Sequence, residues 1–455
     1  MELNKIILLN LNKHLILIRR GGIVVIIKKL RSLFYFILQI PIYLISIPTV
    51  IIIRLIRPWF LLRWYGLRSS RIGHFVTETE LYCCKRDAGI NIPSQRYLDF
   101  FYLHNKLVCN KQLEKMWRRS LIILPRWLLV PIVKVNRFIN IFITGGNYHE
   151  AHEVDARHEH DLTGDPDLIP SPMRDIHNLL ERFQPHISFT DKEVFEGKRI
   201  LTEFGIPEGA KFVCLIVRDS GYLNRHKKYN IRDWSYHNYR DADIDNYVLA
   251  VEELARRGYY IFRMGNNVLK PLKSSNPKII DYAASGVRSE FMDIYLGAKC
   301  NFCISSGTGF DEIPHIFCKP IVYTSYLSFG SVVTDDKKSL ILTKHHINKR
   351  NQKELTVSEI FSSNVALIYT SEEFEQNDVV LEENSPEEIR DIVIEMDERL
   401  NGNWKETGED LLLQKKFWSL FEENIKKINL KTPIHGIIKS RFGAMYLRKN
   451  QNWIK

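Results

Sequence analysis

Residues 301–325, NFCISSGTGFDEIPHIFCKPIVYTS, decide the fold of this chain. Phe302 to Ser305 is a short apolar run of strand length, Ser306-Gly307-Thr308-Gly309 is a tight turn, Glu312 to Phe317 has helical spacing, and Pro320 opens a second extended run. A strand, a glycine-bearing turn and a helix start, in that order, aim backbone N–H groups and a positive dipole end at whatever sits beyond the strand. The pattern predicts a cradle for an anion, and a diphosphate fits it. The same residues also fit a plainer reading, in which Thr308 or Asp311 caps a helix after a turn.

The residues upstream repeat the alternation. KFVCLIV from Lys211 has the continuous apolar character of a buried strand, and Ile244, Tyr247, Val248, Val251, Leu254 and Ala255 recur at helical spacing up to Gly258. YYIFRM is a strand closing on Gly265, KIIDYA a third, and EFMDIYLGA a helix. Strands separated by helices at this interval predict a parallel sheet, whose ligands collect at the carboxyl ends of the strands. Arg218, Asp219, Arg263, Gly265, Ser306 and Gly307 all fall at such ends.

A departing nucleoside diphosphate needs its growing charge neutralised, and Arg218, Arg240 and Arg263 are the cations placed to do so. Tyr222 and Tyr239 are placed to stack on a base or close over a sugar. Asp241, Asp243 and Asp245 with Glu252 imitate a calcium loop, but Asn246 stands where that loop requires glycine. These acids read instead as the lining of a first helical turn, with no metal ligand assigned and no cofactor required. The chain has no phosphate-binding loop of the nucleotide-hydrolase kind, no nucleophile elbow and no Gly-x-Gly-x-x-Gly after a strand, which argues against nucleotide hydrolysis, esterase chemistry and dinucleotide-dependent oxidation.

The net charge of +11 would suggest nucleic acid if it were spread over the 455 residues. It is not: residues 1–70 hold eleven Lys/Arg against Glu2 alone, and the remainder has 53 basic and 52 acidic residues. The basic excess therefore accompanies the apolar N-terminus, a pattern for anionic lipid headgroups rather than a nucleic-acid groove. Ser32 to Ile53 is 22 residues without a charge, broken by Pro41 and Pro48 and flanked by cations on both sides. Equal flanks favour a segment that enters one leaflet and returns, with a kinked single span as the alternative. The run is too long and too late for a cleaved signal peptide, which places the remainder on the cytoplasmic face of the cell membrane. Seven cysteines, with Cys83 and Cys84 adjacent, make no disulfide framework, and Cys300-x-x-Cys303 lies in an apolar strand where packing explains it.

Between these regions FLLRWYGL and LDFFYLH read as strands, RIGHF as a turn, TETELYCCKRD as a helix capped by Thr77 with Glu80 completing a capping box, and NKQLEKMWRRS as a second helix. Ile122 to Gly146 is apolar and reads as buried core. The loop after it carries His149, His152, His158 and His160 among acids at spacings that match no metal motif, and reads as solvated. Ser385-Pro386-Glu387-Glu388 opens a helix that stops at Gly402, and a last amphipathic helix turns Phe417, Trp418, Leu420, Phe421 and Ile425 to one side. The expected organisation is a membrane-associated segment (1–58), a first Rossmann-like domain (59–190), a second (191–400), and C-terminal helices packing back (401–455).

Taken together, VRDSGYL, HNYRDADIDNY, GYYIFRMG, RSEFMDIYL and ISSGTGFDEIPHIFCKP, with RIGHF, TETELY and DFFYLHNKLVCNKQLEKMW upstream, resemble a bacterial glycosyltransferase family encoded among surface-polysaccharide genes. The similarity runs from about Leu67 to the end. It implies a GT-B-like α/β fold, two Rossmann-like domains facing a cleft, with the donor on the C-terminal domain, the acceptor on the N-terminal one and usually no essential metal. By similarity to the fucosyl- and heptosyltransferase-like groups it points to Arg218 and to Ser306, Gly307, Thr308 and Gly309 for the donor diphosphate. The chain has Val-Arg-Asp where the fucosyltransferases have His-x-Arg, which leaves the donor sugar open. The expected reaction is transfer of a sugar from a nucleotide-sugar donor to a lipid-linked or cell-envelope saccharide at a membrane surface, with no nucleic acid involved and His74 as base. A non-catalytic membrane-tethered scaffold, or transfer of phosphate or pyruvyl, are the alternatives.

Overall fold

The computed structural model describes residues 40–151, 174–222, 235–428 and 433–455, with 27, 30 and 430. Most of the basic N-terminus, the first part of Ser32–Ile53, and His152, His158 and His160 lie outside the described residues. Among the described residues no helix is long and apolar enough to cross a membrane. No disulfide joins cysteines there, and Cys300 and Cys303 are fully buried, as packing requires.

The strands, in chain order, are β1 (Leu61–Leu67), β2 (Tyr97–Leu103), β3 (Phe212–Ile216), β4 (Tyr260–Arg263), β5 (Ile279–Ile280), β6 (Phe302–Ser305), β7 (Ile321–Tyr326), β8 (Leu340–Thr343), β9 (His345–Asn348), β10 (Lys353–Glu354), β11 (Val379–Glu382) and β12 (Arg441–Phe442). One seven-stranded sheet runs β12-β8-β7-β6-β3-β4-β5, every neighbouring pair parallel. Its central strands FVCLI and FCIS are buried at every position, the signature of a sheet covered on both faces. β9, β10 and β11 form a small antiparallel sheet, and β1 and β2 form a two-stranded one, with a further parallel bridge from Trp64 to Glu150. The large sheet is of the doubly covered β-α-β kind expected for the second domain, and the smaller sheet of β1 and β2 is parallel as well, with the helix Thr79–Asp87 between its strands in sequence. LLRWYGL and YLDFFYL are strands, as expected; β1 leads through the helix Thr79–Asp87 to β2 beside it, and β2 leads through the helix Lys111–Ser120 to a parallel bridge between Phe101 and Ile123.

Contacts divide the chain into two interleaved units. The first is 1–66, 93–103 and 122–152; the second is 67–92, 104–121 and 153–455. In the first, Trp64, Tyr102, Leu129 and Val133 form a core, joined by a buried Arg63–Asp99 ion pair at 2.7 Å. His149, expected in solvent, is buried: its ring stacks on Trp64 at 5.3 Å, its Nδ1 is bonded to the Leu62 carbonyl, and burial lowers its pKa. The helix Arg126–Phe142 buries Leu129, Val133 and Val135 but leaves Trp127, Phe138, Ile141 and Phe142 exposed, so Ile122–Gly146 is only half core.

In the second unit the helix Lys111–Ser120 inserts Trp117, whose indole N–H donates to the Phe75 carbonyl. Asn110 caps this helix and also donates to the Glu290 carbonyl at 2.8 Å, holding it on the helix Glu290–Lys299. Thr77 does not cap: residues His74–Glu78 form a π-helical turn running into the helix Thr79–Asp87, so no helix begins at Thr77. Residues 401–455 add β12 to the sheet edge and surround Phe329 with Phe417, Phe421 and Trp453. The capping box at Ser385 and Glu388, with Pro386 at the first helical position, forms as its spacing predicts.

Candidate functional site

The strand order reverses between β3 and β6: the chain runs outward from β3 through β4 to β5, then restarts on the other side of β3 at β6. A parallel sheet opens a crevice beyond its carboxyl ends at such a point. Arg218 follows β3 and Ser306 follows β6, and the two ends are tied, the Arg218 N–H donating to Ser306 Oγ at 2.8 Å and the Ser306 N–H to the Ile216 carbonyl at 3.2 Å. A cavity of about 450 Å³ opens here, walled by Arg71, His74, Arg174, Arg218, Arg240 and the turn Gly307-Thr308-Gly309.

The turn walls the cavity but is not the N–H cradle expected of it. The Gly307 N–H donates to Ser305 Oγ (3.0 Å), the Thr308 N–H to Asp311 Oδ2 (2.8 Å) and the Phe310 N–H to Thr308 Oγ1 (3.2 Å). Ser305 Oγ also donates to Asp311 Oδ2 at 2.6 Å. A buried carboxylate of the chain thus occupies the place foreseen for a ligand anion, and the helix behind it, Glu312–Ile316, has only five residues. Ser306 is buried and serves as the tie between strands. Gly307 is required by its φ of +79° and by the Tyr326 ring, 3.0 Å from where a Cβ would stand.

Burial, with the charge of Glu312 added, raises Asp311 to about 7. A carboxyl raised on folding from the ordinary value near ~4 gives stability that is complete below that value and is lost as the pH climbs through 7. Asp311→Asn keeps an oxygen for Ser305 and Thr308 and removes that loss. Its melting temperature relative to the parent chain is expected to rise by several degrees between pH 5 and pH 8; an unchanged difference would show that the carboxylate carries no such cost.

Arginines line the same wall. Arg218 lies beside Asp241, Nε to Oδ1 at 3.3 Å, yet burial and the neighbouring Arg240 and Arg71 lower it to about 10, while burial raises Asp241 to about 6. Desolvation outweighs this pair's attraction, so neither ion is satisfied by the other. Arg240 donates to the Gly307 carbonyl at 3.0 Å, fixing its guanidinium against the turn. Arg263 is not brought to this wall: fully buried at the end of β4, it donates to Asp281 (3.4 Å) and the Lys270 carbonyl (3.1 Å). It borders a neighbouring hollow with Asp219 and Lys344. Asp219 accepts the N–H groups of Gly221 and Leu269 and shapes both loops. Gly265 and Tyr222 line the main cavity, Gly265 at φ +144° with Val268 2.7 Å from a would-be Cβ. Asp243 and Asp245 are held by Lys270 at 2.7 and 2.5 Å.

His74 also lines the cavity, and its Nδ1 is 2.6 Å from Glu78 Oε1. A carboxylate on Nδ1 fixes ring and tautomer and turns Nε2 outward as a proton acceptor. Glu78 was missed from sequence, although its i+4 position on a helix was a usable signal. Arg71 and Arg174 were missed as well; Arg71 sits inside RIGHF, but Arg174 stands in no motif. Deeper in the wall His315 lies between Glu312 (3.3 Å) and Asp335 (3.0 Å); burial opposes its charge, but the two acids hold it well above the usual histidine range. Among the described residues Glu80, Cys84 and His186 come within reach of one ion. Both His186 nitrogens are already on carboxylates, Glu80 at 2.7 Å and Asp87 at 2.9 Å, and burial keeps the Cys84 thiol protonated, so this group is a clamp.

No protein-family profile and no curated protein matches the chain. Among solved structures, a glycosyl transferase family 9 protein from Veillonella parvula DSM 2008 is similar at 11% identity and a TM-score of 0.34, over 58% of this chain and 80% of that one. The E. coli ADP-heptose LPS heptosyltransferase II is similar at 10% identity and a TM-score of 0.34, over 58% and 84%.

Proposed function

We propose that the chain is a glycosyltransferase that moves a sugar from a nucleotide-activated donor to a lipid-linked or cell-envelope saccharide at the cytoplasmic face of the membrane. The observation that carries this is the meeting of Arg71, Arg218 and Arg240 on one cavity at the strand-order reversal, close enough that the other two depress Arg218. Like charges gathered at partly desolvated positions favour a multiply charged anion between them.

In this reading the acceptor hydroxyl gives its proton to His74 Nε2 as its oxygen bonds to the anomeric carbon. The bond from that carbon to the diphosphate breaks, and the charge arriving on the diphosphate is met by Arg218 and Arg240. Glu78 is a positioning residue that stabilises the imidazolium formed. The guanidiniums take the part a divalent cation plays elsewhere, so no metal is invoked. The donor would occupy the cavity and the acceptor would approach from the His74 side.

A thermal-shift series with nucleoside diphosphates, sugar nucleotides, nucleoside monophosphates and phosphoenolpyruvate tests the reading. Stabilisation by diphosphates and sugar nucleotides, and not by monophosphates, is expected. Stabilisation by phosphoenolpyruvate alone would favour pyruvyl transfer, and no response at all would leave a scaffold.

A further inference from the structure

The helix Arg126–Phe142 reads from sequence as core, yet four of its large side chains face outward: Trp127 is 63% exposed, Phe138 62%, Ile141 74% and Phe142 73%. Their spacing puts them on one side of the helix, opposite Leu129 and Val133, which pack on Trp64 and Tyr102. In the same unit the helix over residues 40–56 also leaves apolar side chains exposed, among them Leu44, Ile45, Ile52 and Leu55. Arg54 locks the two helices together, donating to Asn136 Oδ1 at 2.9 Å and to the Asn136 and Ile143 carbonyls at 2.8 Å.

Charge decides what covers this face. Residues 40–67 and 122–149 hold six Lys/Arg and no Asp or Glu, and the acids that meet them, Asp99 and Glu150, pair with Arg63 and Arg137. A second copy would set positive against positive. So would residues 1–39 of this chain, which carry seven Lys/Arg and only Glu2. An apolar face with a basic border and outward Trp and Phe suits the headgroup region of an anionic bilayer.

We propose that Arg126–Phe142, together with the helix at 40–56, forms a membrane-surface face whose outward side chains enter an anionic leaflet. The face does not depend on the chemistry of the cavity, and a chain without transferase activity would still show it. The full chain is sedimented with vesicles of phosphatidylglycerol and phosphatidylcholine, and with phosphatidylcholine alone. Binding to the anionic vesicles that weakens with salt is expected. The variant Trp127→Ser/Phe138→Ser/Phe142→Ser, exposed positions whose replacement leaves the melting temperature in place, is expected to lose at least about tenfold in partitioning. Lys134→Glu is expected to weaken binding to anionic vesicles only. Vesicle binding unchanged in both variants overturns the proposal. So does a triple variant that passes from dimer to monomer with vesicle binding intact, which would assign the face to a second copy.

Discussion

Arg218→Ala is expected to lower sugar transfer by roughly 10²–10³-fold, the size of effect seen when a preorganised donor to developing charge is removed. The guanidinium sits where β3 ends, beside Asp241 and opposed by Arg240 and Arg71, so the folded chain carries a desolvation cost there that a bound diphosphate would relieve. The loss should fall on turnover and on donor affinity together. Arg218→Lys is expected to recover little, because an ammonium keeps the charge but not the planar fork that matches two phosphate oxygens. Arg263→Lys, away from this wall, should impair stability rather than transfer. The check is the initial rate of nucleoside diphosphate release with each variant. An undiminished rate in Arg218→Ala would remove the cavity from the reaction.

The second large effect is expected at His74. His74→Ala should reduce kcat by about 10²–10⁴-fold while nucleotide binding, measured by thermal shift or calorimetry, stays near the parent value. Glu78→Gln should cost less, and its mark should be a displaced pH profile, since the amide holds the ring less firmly and does not stabilise the imidazolium. Equal losses of binding and turnover in His74→Ala would make the histidine part of the cavity wall and not the base.

How much of this was legible from sequence differs by region. The parallel sheet was, because strands buried on both faces leave continuous apolar runs such as FVCLI and FCIS, which place Arg218 and the 306–309 turn at neighbouring carboxyl ends, while Arg263, at the end of β4, borders another hollow. The use of the turn was not. Ser305 and Asp311 are ordinary flanking residues in SSGTGFD, and only the coordinates show that their side chains satisfy the N–H groups a ligand was expected to take. Arg71 and Arg174 reach the cavity from segments distant in sequence, which no local pattern encodes. The helix Arg126–Phe142 misled for the opposite reason: periodicity marks which side chains share a face, but an apolar run with apolar residues on both sides does not say which side is inward. His149 misled because its acidic neighbours suggested solvent, whereas a stacked Trp64 put it inside.

The interleaving of the two units has a consequence during synthesis. Trp117 and Phe75 belong to the unit of the large sheet, yet the helix their neighbours rest on, Glu290–Lys299, leaves the ribosome long after them. At about 5–20 residues per second the interval is on the order of ten to forty seconds. For that time the nascent polypeptide must shelter large greasy side chains by some other means, and a fragment starting at residue 153 would never acquire them at all.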